Sequence, residues 1–352
     1  MHTAPCVRSQ GPSETKLRSA RLGVPTWAAA LILITLGTTT LHAQELVWDR
    51  TFGGSGQDGA QAMEPTSDGG IIISGFTSYS PYAYTDVYLI KTNAAGSPTW
   101  TRTFGGPMND YGSCVRELHD GGYVIAGRYE ENAQTFDAYL IRTNASGDLV
   151  WQRRYNLGDD ERAHSVCLTA DGGFLLAGQA WVINGSFGSY DMWLVKTDAN
   201  GNLKWQRTYA YASEGNDVAL SVEPTNDGGF IVGGFTQSTV WDAYVIRIDA
   251  VGNPIWARTC DLGFSSECYS VEPLEDGTFV ITGIGTPGGD GDVLLVKLAA
   301  NGDVLWHRTH GGTQDDQGQS VRKMADGGFV VTGMTGSFGA GQWDVYVLRT
   351  DP

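Results

Sequence analysis

The chain has 352 residues, 41% of them hydrophobic, and its 39 acids outnumber its 23 bases to give a formal charge of -16. So acidic a surface repels nucleic acid and anionic lipid, which excludes both as partners. With 48 glycines and no apolar stripe at helical spacing, the chain reads as short strands joined by tight turns.

Residues 1–43 read as an export signal. Lys16, Arg18 and Arg21 precede the apolar run WAAALILITLG from Trp27, and LHA ending at Ala43 has a small-residue cleavage pattern. The run is too short to span a bilayer. Loss of four bases and Glu14 with the signal moves the formal charge of residues 44–352 to -19. This mature part is expected in the periplasm or outside the cell, as a monomer, with no membrane insertion after cleavage.

From Trp48 onward the chain repeats itself. Trp48, Trp100, Trp151, Trp205, Trp256 and Trp306 each open a W-x-R step. Each is followed by an Asp-Gly turn (Asp68, Asp120, Asp171, Asp227, Asp276, Asp326), by a glycine closing an apolar run, and by an aspartate opening DxYLIKT or a variant. Turn aspartate to closing glycine is seven residues in every repeat, and second aspartate to the next tryptophan is fourteen. Tryptophan to turn is twenty in five repeats and twenty-two between Trp205 and Asp227, whereas closing glycine to second aspartate ranges from eight to thirteen.

These spacings define four strands per repeat: A before Asp-Gly, B after it, C at DxYLIKT and D at W-x-R. FIVGGFT after Asp227 and DAYVIRI from Asp242 are apolar on both alternating sets, so both strand faces are predicted to be buried. Four-stranded repeats of about fifty residues, stacked on like neighbours, are the blades of a β-propeller. The mature chain starts on a D strand, ELVWDRTF, and stops after a C strand, DVYVLRTDP. An open stack would leave unpaired edges. An all-β, six-bladed propeller over 44–352 is therefore predicted, with Glu45–Phe52 completing the blade that ends at Thr350.

The motifs W-x-R-T-F-G-G, D-G-G-[FY]-[IV]-[VI]-x-G and D-x-Y-L-[IV]-K-T-[DN]-x-x-G-x-x-x-W resemble the repeats of secreted bacterial and archaeal β-propellers, related in form to quinoprotein-like and kelch-like propellers. The resemblance implies the fold, and it implies that the late tryptophan of each repeat locks neighbouring blades. It implies no activity, since no quinone-binding set and no C-x-x-C-H haem site can be matched here.

Candidate sites follow from departures within the repeat. Five acids, Asp58, Asp110, Glu161, Asp217 and Asp316, recur ten residues before the Asp-Gly turn and fall in D–A loops near the axial mouth, where they cap turns or hold a cation. GGDGD (Gly288–Asp292) and DANGN (Asp198–Asn202) are fragments of calcium loops that hairpin chemistry also explains, so structural calcium is the one cofactor considered. Cys260 and Cys268 bracket one D–A loop, and a disulfide is expected across it, while Cys114 and Cys167 are expected to pack as small apolar residues.

All the length variation falls on the face carrying the B–C and D–A connections. Its loops are rich in aromatics, and Trp181, Tyr190, Tyr209, Tyr211, Trp241 and Trp343 are the expected ligand-binding rings, suited to sugars or peptide segments. The function expected is non-catalytic binding of a glycan or protein ligand through this face. Its rivals are an extracellular carbohydrate-active or quinoprotein-like enzyme with acids at the channel mouth, and a structural surface protein.

Overall fold

The computed structural model describes residues 49–80, 83–132, 135–184, 187–211, 215–237 and 240–352. They form an all-β, six-bladed propeller with five four-stranded antiparallel blades and one three-stranded blade. Blade 1 is the meander β1 (Asp58–Pro65), β2 (Ile71–Ser78), β3 (Thr85–Thr92), β4 (Pro98–Phe104). Blade 2 takes β5 to β8 over 110–155, blade 3 β9 to β12 over 161–209, and blade 4 β13 to β16 over 216–259. Blade 5 takes β17 to β20 over 266–310, and blade 6 takes β21 to β23 over 316–349.

Two repeated devices fix the turn face of the disc. The A–B turn aspartate is paired in every blade with a cation from strand C: Lys91 with Asp68, Arg142 with Asp120, Lys196 with Asp171, Arg247 with Asp227, Lys297 with Asp276 and Arg349 with Asp326. This is why DxYLIKT carries a Lys or Arg amid apolar residues. The second device is the tryptophan of strand D. Trp100, Trp151, Trp205 and Trp256 lie against Gly147, Gly201, Gly252 and Gly302 in the C–D turn of the next blade, so closely that a Cβ there would come within 2.7 to 2.9 Å of the ring. Those glycines have φ between 74° and 86°, so the turn conformation and the ring contact both select glycine.

The glycine closing the B-strand run has a different task. A Cβ on Gly127 would lie 1.9 Å from the Tyr111 carbonyl oxygen, and one on Gly178 1.8 Å from that of Arg162. At these points the A strand is bulged, between Gly112 and Cys114 in blade 2 and between Ala177 and Gly178 of the facing register in blade 3. A bulge bends its strand and redirects the adjacent side chains. Here it sets the start of each A strand at the axial mouth.

The core lies between blades. Val115, Val166, Val222, Val271 and Val321 occupy one A-strand position and are each no more than 1% exposed. Their counterpart in blade 1, Met63, is 70% exposed, and on blade 6 Val345 and Val347 are 85% and 61% exposed where Val293 and Leu295 of blade 5 are buried. The seam between blades 6 and 1 is thus not packed like the other five. The strand expected to complete blade 6 falls largely outside the described residues, since Glu45 to Trp48 are not among them, and Asp49 to Phe52 carry no strand.

Candidate functional site

The A strands β1, β5, β9, β13, β17 and β21 surround the axis, and the same position of each, Gln61, Ser113, His164, Leu220, Tyr269 and Gln319, lines a cavity of about 510 Å³. The size is that of a small-molecule site. Toward the turn face, ion pairs cross the axis. Arg116 of blade 2 reaches Glu223 of blade 4 at 2.8 Å, and Arg322 of blade 6 reaches Glu223 at 3.5 Å and Glu272 of blade 5 at 3.3 Å. The cavity is therefore floored by charge pairs and faces the variable loops.

Its mouth in blades 2 and 3 is built from cations and rings. Arg128 of β6 (Tyr123–Asn132) stands over the Tyr111 ring at 4.2 Å, and Tyr111 meets Phe76 edge to face at 5.4 Å. Phe136 lies 5.1 Å from both the Arg128 and the Arg162 guanidinium. Arg162 is paired with Asp160 through two contacts, at 2.8 and 3.2 Å, and the Tyr190 hydroxyl donates to Asp160 at 2.5 Å. Among the described residues Arg128 has no such partner: it makes no ion pair, and its Nε is buried without a hydrogen bond. Burial, followed by the neighbouring charge of Arg162, lowers its pKa.

His164 sits below, with Nε2 3.2 Å from Gln179 Oε1. Burial pushes the imidazole down to about 4, so it is neutral at physiological pH.

The sequence-predicted rings divide into three groups. Trp181 and Tyr190 face each other across the β10–β11 hairpin, edge to face at 5.0 Å, and so support one another. Tyr211, Trp241 and Trp343 are exposed; Tyr211 packs one edge on Tyr244 and Trp241 leans on Phe235. Tyr209 is a correction. It was expected on a displayed loop but closes β12 (Leu203–Tyr209), is buried, and donates its hydroxyl to the Gly252 carbonyl at 2.7 Å. The two-residue insertion begins after it, so Tyr209 keeps the D-strand place of Tyr155, whose hydroxyl bonds the Gly201 carbonyl at 2.7 Å.

The five acids serve separate loops. Asp58, Asp110 and Asp316 each accept the backbone N–H four residues earlier, from Gly54, Gly106 and Gly312, at 2.9, 2.6 and 2.8 Å. Asp217 accepts from Tyr211 at 3.0 Å, whereas Glu161 lies beside the amides of Leu157 and Gly158 with neither carboxylate oxygen completing a hydrogen bond among the described residues. Burial pushes Asp110 up to about 6 and Glu161 up to about 7. The five do not converge, and among the described residues no three His, Cys, Asp or Glu are placed to hold a metal ion. The calcium-like DANGN segment uses Asp198 Oδ1 to cap its own turn, accepting from Asn200 and Asn202 at 2.9 and 2.8 Å.

The expected disulfide is also corrected. Cys260 and Cys268 are free thiols buried in the apolar cluster between blades 4 and 5. Burial pushes Cys260 up to about 12 and Cys268 well above its ordinary value, which suppresses the thiolate that exchange chemistry requires. Cys114 and Cys167 pack as small apolar residues, as anticipated.

No family model matches the chain. Regulatory protein FlaEY of Caulobacter vibrioides is 27% identical over 171 residues, covering 42% of this chain and only 18% of that protein's length. A puromycin hydrolase mutant shares the fold with a TM-score of 0.51 and 16% identity over 84% of this chain and 44% of its own. A glucose dehydrogenase is similar at a TM-score of 0.45 and 9% identity, over 84% of this chain and 97% of that one. These are likenesses of fold. A fold does not by itself imply a function, so function has to be argued from the mouth and the loops.

Arg128 and Gln179 carry a signal in the sequence that Arg162 and His164 do not. The residue after the closing glycine is Phe76, Arg128, Gln179, Phe235, Ile284 and Met334 in blades 1 to 6. Blades 2 and 3 alone replace an apolar group there with a polar one.

Proposed function

We propose that the protein is an exported, non-catalytic propeller that binds a glycan through its B–C/D–A face. One observation carries the reading. The exposed aromatic side chains among the described residues, Tyr79, Tyr84, Tyr211, Trp241, Phe338 and Trp343, all lie on B–C or D–A connections or, for Trp241, at the strand residue that ends one, and the opposite face displays none. A flat ring held at the surface by a rigid scaffold offers a sugar an apolar stacking face at small entropic cost.

The acids support binding over hydrolysis. Asp110 and Glu161 have the elevated pKa of a general acid, but they are fully buried and face the backbone amides of their own loops. A glycosidase needs two carboxyl groups flanking one bond within reach of substrate. The test is a glycan array, with Trp241→Ala and Tyr211→Ala as variants. Captured glycans should be lost by at least ~10-fold in affinity with Trp241→Ala, and no sugar should be released on incubation. A blank array, or release of reducing sugars that Glu161→Gln abolishes, would overturn the reading.

A further inference from the structure

The axial cavity departs from the charge of the molecule around it. Acids outnumber bases by 39 to 23 in the chain, yet among the described residues the one charged side chain lining this cavity is Arg128. Asp160, the carboxylate beside it, is already engaged by Arg162 and by the Tyr190 hydroxyl. His164 is neutral, so Arg128 is the charged side chain among those lining the cavity, with the Glu267 carboxylate set behind Tyr269. The remaining polar groups are hydroxyls and amides, Tyr111, Tyr269, Gln61 and Gln319. Tyr269 is also engaged by Glu267 and Gln319 Nε2 by Gln317, which leaves the Gln319 Oε1 and the Tyr111 and Gln61 groups the capacity to donate and accept that sugar hydroxyls require. A guanidinium without a carboxylate partner at the rim of a polar cavity is an unfilled half of an ion pair.

We propose that this cavity binds one carboxylated sugar residue, a uronate, with its carboxylate on Arg128 and its hydroxyls on the tyrosines and glutamines around the axis. The inference rests on the glycan reading of the loop face and refines it. The ion pairs among Arg116, Glu223, Arg322 and Glu272 block passage through the disc, so the site takes the end of a chain or a free sugar acid, and no chain threads it.

The experiment is calorimetric titration of the full chain with D-galacturonate, D-galactose and trigalacturonate. Galacturonate should bind at least ~10-fold more tightly than galactose, as expected for a hydrogen bond to a charged group. Arg128→Met should remove that preference. Gln319 is exposed at the axis, so Gln319→Glu leaves the core untouched and should weaken galacturonate by a similar ~10-fold through like-charge repulsion. This second variant keeps the test decisive if Arg128→Met unfolds. Tighter binding of the trimer than of the monomer assigns the site to a polymer end, and equal binding assigns it to the free acid. Galacturonate binding no tighter than galactose, or indifferent to both substitutions, overturns the proposal. If neutral glycans are still captured through Trp241 in that case, only the uronate site falls. If no glycan binds at all, both readings fall.

Discussion

On the face formed by the A–B and C–D turns, a cation of strand C meets the turn aspartate in all six blades, and four consecutive tryptophans press on four turn glycines. On the opposite face the D–A acids Asp58, Asp110 and Asp316 repeat one backbone cap, but the B–C connections differ in length, the exposed rings sit there, and Arg128 and Gln179 replace apolar residues at the mouth. The contrast teaches where selection for stability ends. On the turn face the tryptophans press on a neighbouring blade and the strand-C cations are mostly buried beside their aspartates, so changing either leaves a cavity or an unpaired charge. Loop-face side chains meet solvent on at least one side and are free to vary, which is the condition for recognition.

Substitution should cost most on the turn face. Trp256 is buried, donates Nε1–H to the Ala300 carbonyl at 2.9 Å, and wedges on Gly302. Trp256→Ala should lower unfolding free energy by about 3–5 kcal/mol in urea denaturation while leaving ligand affinity per folded molecule unchanged. A loss under 1 kcal/mol would mean that the ring does not hold the blades together.

Next comes a buried acid under the loop face. Glu161 is fully buried, and its carboxyl is raised from an ordinary 4.5 to about 7, so the folded chain keeps a proton that the unfolded chain has released. Its contribution to stability therefore falls as pH rises between those two values. Glu161→Gln should gain on the parent protein by on the order of 2 kcal/mol between pH 5 and pH 7.5. A difference that stays constant with pH would show that the carboxyl ionises freely.

The repeated ion pair should be worth less, because one partner is wet. Lys196 is buried and Asp171 is largely exposed. Asp171→Ala also removes acceptors for Thr169 and Gly173, and a loss of about 1–2 kcal/mol is expected by thermal or urea unfolding. The smallest effect belongs to the loop face. Trp241→Ala should change stability by no more than about 0.5 kcal/mol while weakening glycan capture, and a larger stability loss would make that ring part of the core.

The spacing of the repeats made blade number, strand order and the variable face readable, because glycine at a bulge and Asp-Gly at a turn are demanded by local backbone geometry. Tyr209 and the two cysteines were misjudged for one reason: each was assigned from its place along the chain, and its burial depends on the blade that comes next. Met63 and Val271 make the same point. They hold one repeat position, yet Met63 is 70% exposed and Val271 is 0% exposed, since only Val271 has a neighbouring blade packed on it. Arg128 could have been noticed as a break in an apolar column, but its lack of a carboxylate partner could not.

By itself, then, the sequence determined the blade: its four strands, its turns, its locking tryptophan and the connection along which length can vary. These follow from short-range sterics and from a pattern written six times. Only the tertiary structure decided which polar groups are satisfied. Asp160 is taken by Arg162, four of the five loop acids accept from backbone N–H groups of their own loops, and Arg128 is left facing a cavity on the axis. The Tyr190 hydroxyl reaches Asp160 from the far arm of a hairpin and the cavity is lined from all six blades, and a charge becomes available to a ligand only when the folded surroundings provide it with no partner.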